Sequence, residues 1–213
     1  MNEKESPVKV LLTGFDPFGE ERQAEHPVNP AWEAVKRVQP PERIELMRLQ
    51  VPTVFGLSVE TVRDAMERFR PDAVICVGQA AGRTAVTPER IGINVMDAVA
   101  ADNAGNAPQD QPVVPGAPAA YFATLPVKAM TEAIRAADVP AAVSDTAGTF
   151  VCNALLYGVL HLAATEFPDT RCGFIHVPCL PEQAAHFSRP VFTLPMEEIV
   201  RALEAALRVL TEE

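Results

Sequence analysis

Short, nearly continuous apolar runs alternate along the chain with stretches in which apolar residues return every three or four positions. The runs Val8–Leu12, Ala73–Val77 and Cys172–Val177 are typical of strands buried on both faces. Ile44–Val51 alternates well enough to predict another strand, and Ala141–Val143 predicts a brief one. Strands of this kind occur where helices cover both faces of a sheet.

The stretches between these runs have the period of α-helices with one buried face. Asn29-Pro30 has the form of a helix N-cap followed by proline at the first helical position, and Pro126 and Pro195 begin two later helices. The apolar residues at helical spacing are Trp32, Val35 and Val38; Val59, Val62, Met66 and Phe69; Val127, Met130 and Ile134; Leu155, Val159 and Leu162; and Ile199, Leu203, Ala206 and Leu210. Alternating strands and helices predict an α/β fold with a largely parallel sheet between helices.

One segment, Ala98–Pro118, fits neither period. It is rich in Ala, Asn, Asp, Gly and Pro, so we expect an irregular hairpin or a flexible flap near the site. In α/β sheets the chemistry takes place beyond the carboxyl ends of the strands. The loops that begin at Thr13, Gly78, Ser144 and Val177 are therefore the expected locations of functional residues.

Composition narrows the class of protein and its partners. A chain of 213 residues is expected to form a single domain over 1–213. Its net charge of −10 disfavours nucleic acid and anionic membranes, because both need clustered Lys and Arg. No apolar run approaches the ~18 residues of a membrane helix, and Met1–Val8 lacks the apolar core of a signal peptide. We therefore expect a cytoplasmic protein that binds no nucleic acid and no membrane.

The cysteines and histidines do not have the spacing of a structural metal site. Cys76, Cys152, Cys172 and Cys179 contain no Cys-x-x-Cys pair, and the histidines contain no His-x-x-x-His pair. A cytosolic chain of this size does not need disulfides. The cysteines are therefore expected to be free, and a zinc site is not expected.

Cys152 is the first candidate for chemistry. It follows a loop of small residues that begins at Ser144, and it lies where a helix is predicted to start. The positive end of a helix dipole favours a thiolate, and the free N–H groups there can hold an oxyanion. A small buried cysteine fits the local pattern equally well.

His176 is the candidate base. It lies at the end of an apolar strand, from which an imidazole could reach a nucleophile on a neighbouring loop. On this local pattern alone a satisfied, half-buried histidine is the better interpretation. The other histidines are weaker candidates, because His161 lies in a predicted helix and His26 and His186 lie in polar surroundings.

Glu89 is the candidate for a carboxylate that orients the imidazole, as the third member of a triad does. It lies in the stretch Gly78–Asn94, which lacks the pattern of a phosphate-binding loop. By charge pattern alone, Glu89 is better explained as a surface residue paired with Arg83 or Arg90.

Taken together, the motifs resemble the pyroglutamyl peptidase type I family, also called pyrrolidone carboxyl peptidases. The resemblance extends in order over nearly the whole chain, and the stretches around Glu89 and Cys152 fit the family signatures at every defined position. The segments that carry it are Gly14-Phe-Asp-Pro-Phe-Gly19, Asn29-Pro-Ala-Trp-Glu-Ala34, Gly78–Asn94, Ser144–Asn153 and Phe174-Ile-His-Val-Pro178. Two long matches in the correct order are far more specific than a lone Ala-Gly-x-Phe-x-Cys.

The resemblance implies a reaction and the residues that perform it. The family's triad corresponds to Cys152 as nucleophile, His176 as base and acid, and Glu89 as the orienting carboxylate. It implies a cysteine exopeptidase that removes N-terminal pyroglutamyl residues from peptides. It also implies a three-layer α/β/α sandwich with a largely parallel mixed sheet, no metal or cofactor, and a cytosolic homo-tetramer.

The resemblance also implies a pocket for the pyroglutamyl ring, which is flat, small and uncharged. Such a pocket needs apolar walls, together with partners for one lactam N–H and one C=O. The residues at matching positions are Phe15, Phe18, Phe150 and Val151 as walls with Thr53 nearby, and Gln79 and Asn29 as hydrogen-bonding groups.

The chain departs from the family at two positions and leaves other functions open. Where the family often has Arg and a branched apolar residue, this chain has Val99 and Ala100. A cysteine amidase for another small lactam or acyl-amide is therefore an alternative. The architecture also serves binding modules and phosphorylase-like enzymes. A binding relic would not need Glu89, His176 and Cys152 together, and a phosphorylase would need more arginines in its loops.

Overall fold

The computed structural model describes residues 6–19 and 27–211. Strands and helices alternate over the first five elements, as the apolar pattern predicts, whereas three further short strands and then two helices follow one another after them. The strands are β1 (Val8–Phe15), β2 (Ile44–Val51), β3 (Ala73–Gln79), β4 (Thr87–Pro88), β5 (Ile91–Ile93), β6 (Ala120–Phe122) and β7 (Arg171–Val177). The helices are α1 (Pro30–Arg37), α2 (Leu57–Phe69), α3 (Val127–Ala136), α4 (Val151–Thr165) and α5 (Met196–Arg208), with 3₁₀ turns at Pro181–His186 and Val209–Thr211.

The main sheet has five strands in the order β2-β1-β3-β7-β4. The first four are parallel, and β4 runs antiparallel along the edge of β7. A separate two-stranded sheet pairs β5 with β6. The predicted largely parallel, mixed sheet is therefore confirmed, and the carboxyl ends of its central strands lie along one edge.

Helices cover both faces of the main sheet. Helices α1, α3 and α5 pack on one face, and α2 and α4 pack on the other. Strand β1 sends Val10 and Leu12 into the first core and Leu11 into the second, as the two-residue period of a strand requires. The three-layer α/β/α sandwich is therefore confirmed. Within the described ranges, no helix combines the length and apolar character needed to cross a membrane.

The start of α1 follows its sequence signals closely. The side chain of Asn29 accepts a hydrogen bond of 3.0 Å from the backbone N–H of Ala31, which makes Asn29 the helix N-cap. Gly14 allows this helix to approach β1, because a Cβ on Gly14 would lie 2.7 Å from the Cα of Trp32. The loop after β1 is thereby held against the first turn of α1.

The predicted strand at Ala141–Val143 is wrong. Isolated bridges join Ala141 to Val86 and Ser144 to Glu89, so the segment lies beside β4 without forming a continuous ladder. Pro88 lies between the two bridges and has no N–H to donate, which interrupts the pairing. The second bridge nevertheless ties the segment before α4 to Glu89.

The segment 98–118 is irregular, as its composition predicts, and a buried carboxylate organises one end of it. Asp102 accepts hydrogen bonds from the backbone N–H groups of Ala104, Asn106 and Phe55 at 2.9, 2.8 and 2.9 Å, and from Asn106 Nδ2 at 2.9 Å. Burial alone would raise the pKa of Asp102, but these hydrogen bonds outweigh it and lower the pKa. The contact with Phe55 ties the segment to the turn before α2.

Replacing Asp102 by alanine should lower the free energy of unfolding by about 2–3 kcal/mol at pH 7, because several buried donors lose a charged acceptor. Since folding lowers the pKa of Asp102, its contribution is present above the unfolded-state pKa and is lost as the pH falls through the folded-state pKa. Urea unfolding curves of the two proteins should therefore differ at neutral pH and converge in acid. Asp64→Ala, at an exposed position of α2, is the control. A difference that is independent of pH would contradict this role.

Candidate active site

The carboxyl end of the central sheet brings His176 and Glu89 to one face. His176 lies in β7 opposite Thr87 of β4, so the two side chains point to the same side of the sheet. Glu89 is two residues beyond Thr87 and returns to that side. The backbone N–H of Glu89 donates to the carbonyl of Phe174 at 2.9 Å, which holds this register.

The two side chains meet directly. His176 Nδ1 lies 2.7 Å from Glu89 Oε1, a hydrogen-bond distance. Glu89 is 0% exposed and His176 is 3% exposed. When the carboxylate accepts in this bond, Nδ1 is the donor, and Nε2 is the ring nitrogen that Glu89 does not engage.

Cys152 lies on the same face of the sheet. Helix α4 begins at Val151, so Cys152 is its second residue, and its N–H is among those that lack an intrahelical acceptor. A Cβ on Gly78 would lie 3.1 Å from Cys152 Sγ. Gly78 is the register partner of His176, and partners in a parallel pair point to the same side. The sulfur therefore occupies the space that the missing side chain of Gly78 leaves beside His176.

The environment of Cys152 favours the thiol. Burial raises the pKa of Cys152 to about 12, and the negative charge of Glu89 acts in the same direction. The positive charge of Arg83 opposes them only in part. The start of α4, which by itself favours a thiolate, does not outweigh burial here.

The predicted wall residues lie around this site with different exposures. Phe15 and Val151 are buried in the core under α2 and α4, and Phe150 is partly buried against the same core. Phe18 and Phe150 line a pocket of about 390 Å³, together with Val99 and Ala100. The two positions at which the chain departs from the family therefore lie on the wall of this pocket. A second pocket, of about 410 Å³, is lined by residues of α2 and α4 instead.

The predicted polar residues already have partners within the protein. Asn29, besides capping α1, donates from Nδ2 to the carbonyl of Asp16 at 2.9 Å. Thr53 Oγ1 donates to Asp16 Oδ1 at 2.7 Å. Gln79 Nε2 donates to Gln183 Oε1 at 3.2 Å. These contacts give each side chain a definite orientation, while its contact with a ligand stays a prediction.

Sequence reasoning missed two residues that hold the site together. Asp16 also accepts from Asn103 Nδ2 at 3.1 Å, which connects the loop after β1 to the segment 98–118. Asn153, next to Cys152, accepts from the N–H of Ile93 at 3.0 Å and donates to the carbonyls of Ile93 and Val95 at 2.9 Å each. The sequence did contain a signal for both residues, because Asp16 and Asn153 lie within motifs that match the family.

His161 and the other three cysteines make other contacts, and Cys179 Sγ accepts a hydrogen bond of 3.1 Å from Nε2 of the predicted site residue Gln79. His161 Nδ1 is 3.1 Å from the hydroxyl of Tyr121, and His26 lies outside the described residues. All four cysteines are free; Cys76, Cys172 and Cys179 are buried, whereas Cys152 is partly exposed. Cys152 is thus the cysteine that a solute reaches most easily.

Comparison with known proteins agrees with this arrangement. The family model for pyroglutamyl peptidase matches residues 8–213. The pyrrolidone-carboxylate peptidase of Streptomyces coelicolor is 53% identical over 93% of this chain and 90% of its own length. That of Levilactobacillus brevis is 53% identical over 95% of this chain and 97% of its own length.

Solved structures share the fold as well as the sequence. The structure of pyroglutamyl peptidase I from Bacillus amyloliquefaciens superposes with a TM-score of 0.91 and 44% identity, covering 97% of this chain and 96% of that one. A mutant pyrrolidone carboxyl peptidase from Pyrococcus furiosus superposes with a TM-score of 0.89 and 37% identity, covering 96% and 99%. On the strength of both its sequence and its fold, the chain belongs to the pyroglutamyl peptidase family.

Proposed function

We propose that the protein is a cysteine peptidase that hydrolyses the amide bond after an N-terminal pyroglutamyl residue. The observation that carries this proposal is the buried His176–Glu89 hydrogen bond of 2.7 Å on the face of the sheet that holds Cys152 Sγ. A nucleophile, a base and an orienting carboxylate on one face are the components of covalent acyl transfer.

The reaction begins from the thiol, because burial raises the pKa of Cys152 to about 12. As the sulfur attacks the scissile carbonyl, its proton passes to Nε2 of His176, and Glu89 stabilises the imidazolium through Nδ1–H. Backbone N–H groups at the start of α4 hold the oxyanion. The C–N bond then breaks, His176 protonates the leaving amine, and a thioester remains on Cys152. Water, deprotonated by His176, cleaves the thioester and releases pyroglutamate.

We assign the acyl group to the pocket that Phe18 and Phe150 line, because Phe150 is two residues before the nucleophile Cys152. Phe55 packs edge-on against Phe150 with ring centroids 5.3 Å apart, which stabilises that wall. A pyroglutamyl ring has no free amine, so it needs no carboxylate partner in the pocket. The relatives described above are named for this substrate, which favours it over the alternative of another small lactam or acyl-amide.

We also propose four further properties that the resemblance to this family implies. The chain forms a single catalytic domain over 1–213, works without a metal or other cofactor, and assembles as a cytosolic homo-tetramer. The support for the domain is that one family model spans residues 8–213. EDTA should accordingly leave activity unchanged, and sedimentation should give the mass of four chains.

Cys152→Ser should lower kcat/KM for pyroglutamyl-aminomethylcoumarin by at least about 10³-fold, because the hydroxyl is a far weaker nucleophile in a site built for a thiol. The matched control is Cys172→Ala, which removes a buried sulfur from β7 and should keep most of the activity. Release of aminomethylcoumarin gives the rate. Equal turnover by the wild type and Cys152→Ser, or none by the wild type, would overturn the proposed function.

Alkylation by iodoacetamide should report the protonation state of Cys152. Since the pKa of this thiol is raised to about 12, the thiolate fraction, and with it the alkylation rate, should rise about tenfold per pH unit from pH 7 to pH 10. Mass spectrometry should find the label on Cys152 first, because the other three cysteines are buried. A rate that is already constant below pH 7 would instead indicate a preformed thiolate–imidazolium pair.

The enzyme should distinguish the lactam ring from proline. Prolyl-aminomethylcoumarin lacks the ring carbonyl, so a buried donor of the pocket is left unpaired at a cost of about 1–3 kcal/mol. Its kcat/KM should therefore be roughly 5- to 150-fold lower than that of the pyroglutamyl substrate. Ala100→Ile, which fills part of the pocket that Ala100 lines, is the companion variant and should sharpen this preference. Equal rates on both substrates would contradict recognition of the lactam.

A further inference from the structure

Arg83 is a cation that reaches the buried triad from the loop after β3. It follows Gly82, which has a φ of 89°, a conformation that turns the loop back toward the sheet. Its guanidinium makes three contacts: Nη1 donates to Ser144 Oγ at 2.8 Å, and Nη2 donates to the carbonyl of Thr146 at 2.7 Å and to Glu89 Oε1 at 3.1 Å.

Glu89 needs such a partner. Its side chain is 0% exposed, and an ionised carboxylate without compensation is costly at that depth. Oε1 is shared by His176 and Arg83, whereas Oε2 has no hydrogen-bond partner among the described residues. His176 gives Glu89 a hydrogen bond, whereas the compensating charge must come from a group that is permanently cationic, such as a guanidinium. The side chain of Arg83, which is 26% exposed, can supply it.

We propose that Arg83 is a positioning residue for the reaction: it holds Glu89 at a defined place and balances its charge, so that Glu89 can orient His176. This inference rests on the proposed function. Arg83 acts through Glu89 and is not itself required to touch the substrate.

The second part of the role is mechanical and depends on the shape of the guanidinium. Ser144 is bridged to Glu89 through the backbone, and Thr146 lies in the loop that leads to Cys152. The planar fork of arginine binds the Ser144 hydroxyl from Nη1 and the Thr146 carbonyl and Glu89 carboxylate from Nη2, whereas a lysine offers its three donors from a single nitrogen. Arg83 thereby connects the strand that carries the carboxylate to the segment that carries the nucleophile.

The charge of Arg83 also acts on the nucleophile. The negative charge of Glu89 raises the pKa of Cys152, and the positive charge of Arg83 lowers it. Glu89 orients the base, but its negative charge raises the pKa of Cys152. A nearby cation offsets part of that rise. Removal of this charge should therefore change the pH dependence of kcat/KM. The loss of a hydrogen bond with a purely structural role would not change it.

The experiment compares three variants of the full-length protein. Arg83→Met removes the charge and the hydrogen bonds, and Arg83→Lys keeps the charge but loses the fork. Arg90→Met is the matched control, because Arg90 is the next cation along this segment and pairs with Asp145 at 2.5 Å. Thermal unfolding of each variant shows whether it is folded at the assay temperature.

The first measurement is the pH profile of kcat/KM on pyroglutamyl-aminomethylcoumarin. The active form needs an ionised carboxylate and a neutral imidazole, and the loss of a nearby positive charge favours the protonated form of such groups. Arg83→Met should therefore move the acid limb upward by roughly 0.5–1 pH unit, with a lower kcat. Arg83→Lys should lower kcat while its acid limb stays near that of the wild type, and Arg90→Met should change neither.

The second measurement does not depend on the substrate. At pH 8, iodoacetamide should alkylate Cys152 roughly three- to tenfold more slowly in Arg83→Met than in the wild type, and at nearly the wild-type rate in Arg83→Lys and Arg90→Met. If the wild type does not cleave the pyroglutamyl substrate, the proposed function fails, and the alkylation rates still decide the role of Arg83. A folded Arg83→Met protein with an unshifted acid limb and wild-type alkylation would overturn the proposal.

Discussion

The site depends on one carboxylate that lies where water does not reach it. Glu89 is fully buried, and its Oε1 receives both His176 Nδ1 and Arg83 Nη2. Such a group is stable only when charge and hydrogen bonds compensate for the lost hydration. The sheet supplies that setting, because the antiparallel edge strand β4 places Glu89 beside the central strand β7. An edge strand of two residues is thus sufficient to define the orientation of the base.

A second constraint is the close approach of a helix to the sheet. Cys152 Sγ lies where a side chain on Gly78 would have to be, and Phe174 occupies the other side of that space. Glycine is therefore needed at the register partner of His176. The same burial that brings sulfur and imidazole to one face also disfavours the thiolate. In the reaction that we propose, this raised pKa favours a base that removes the proton during attack.

The surroundings of the site are held by polar contacts between loops that are distant in sequence. Asp16 binds Thr53 and Asn103, and Asp102 binds the turn at Phe55. Both carboxylates anchor the irregular segment 98–118, which has little regular backbone pairing of its own. The pocket wall at Val99 and Ala100 belongs to this segment, so its shape is set by contacts that originate in other loops.

The sequence alone determined the layers of the fold and the three side chains that we propose as reactive. Apolar periodicity predicts β1, β2, β3, β7 and all five helices, because burial on a strand or a helix has a local period. Two ordered motifs then singled out Cys152, His176 and Glu89. Tertiary structure decided the features that leave no local period in the sequence. These are the two-residue β4, the isolated bridges in place of the expected strand at Ala141–Val143, and the contact of Arg83 with Glu89. It also decided the direction in which the pKa of Cys152 shifts. A helix start favours the thiolate locally, but burial by residues far away in the chain raises its pKa instead.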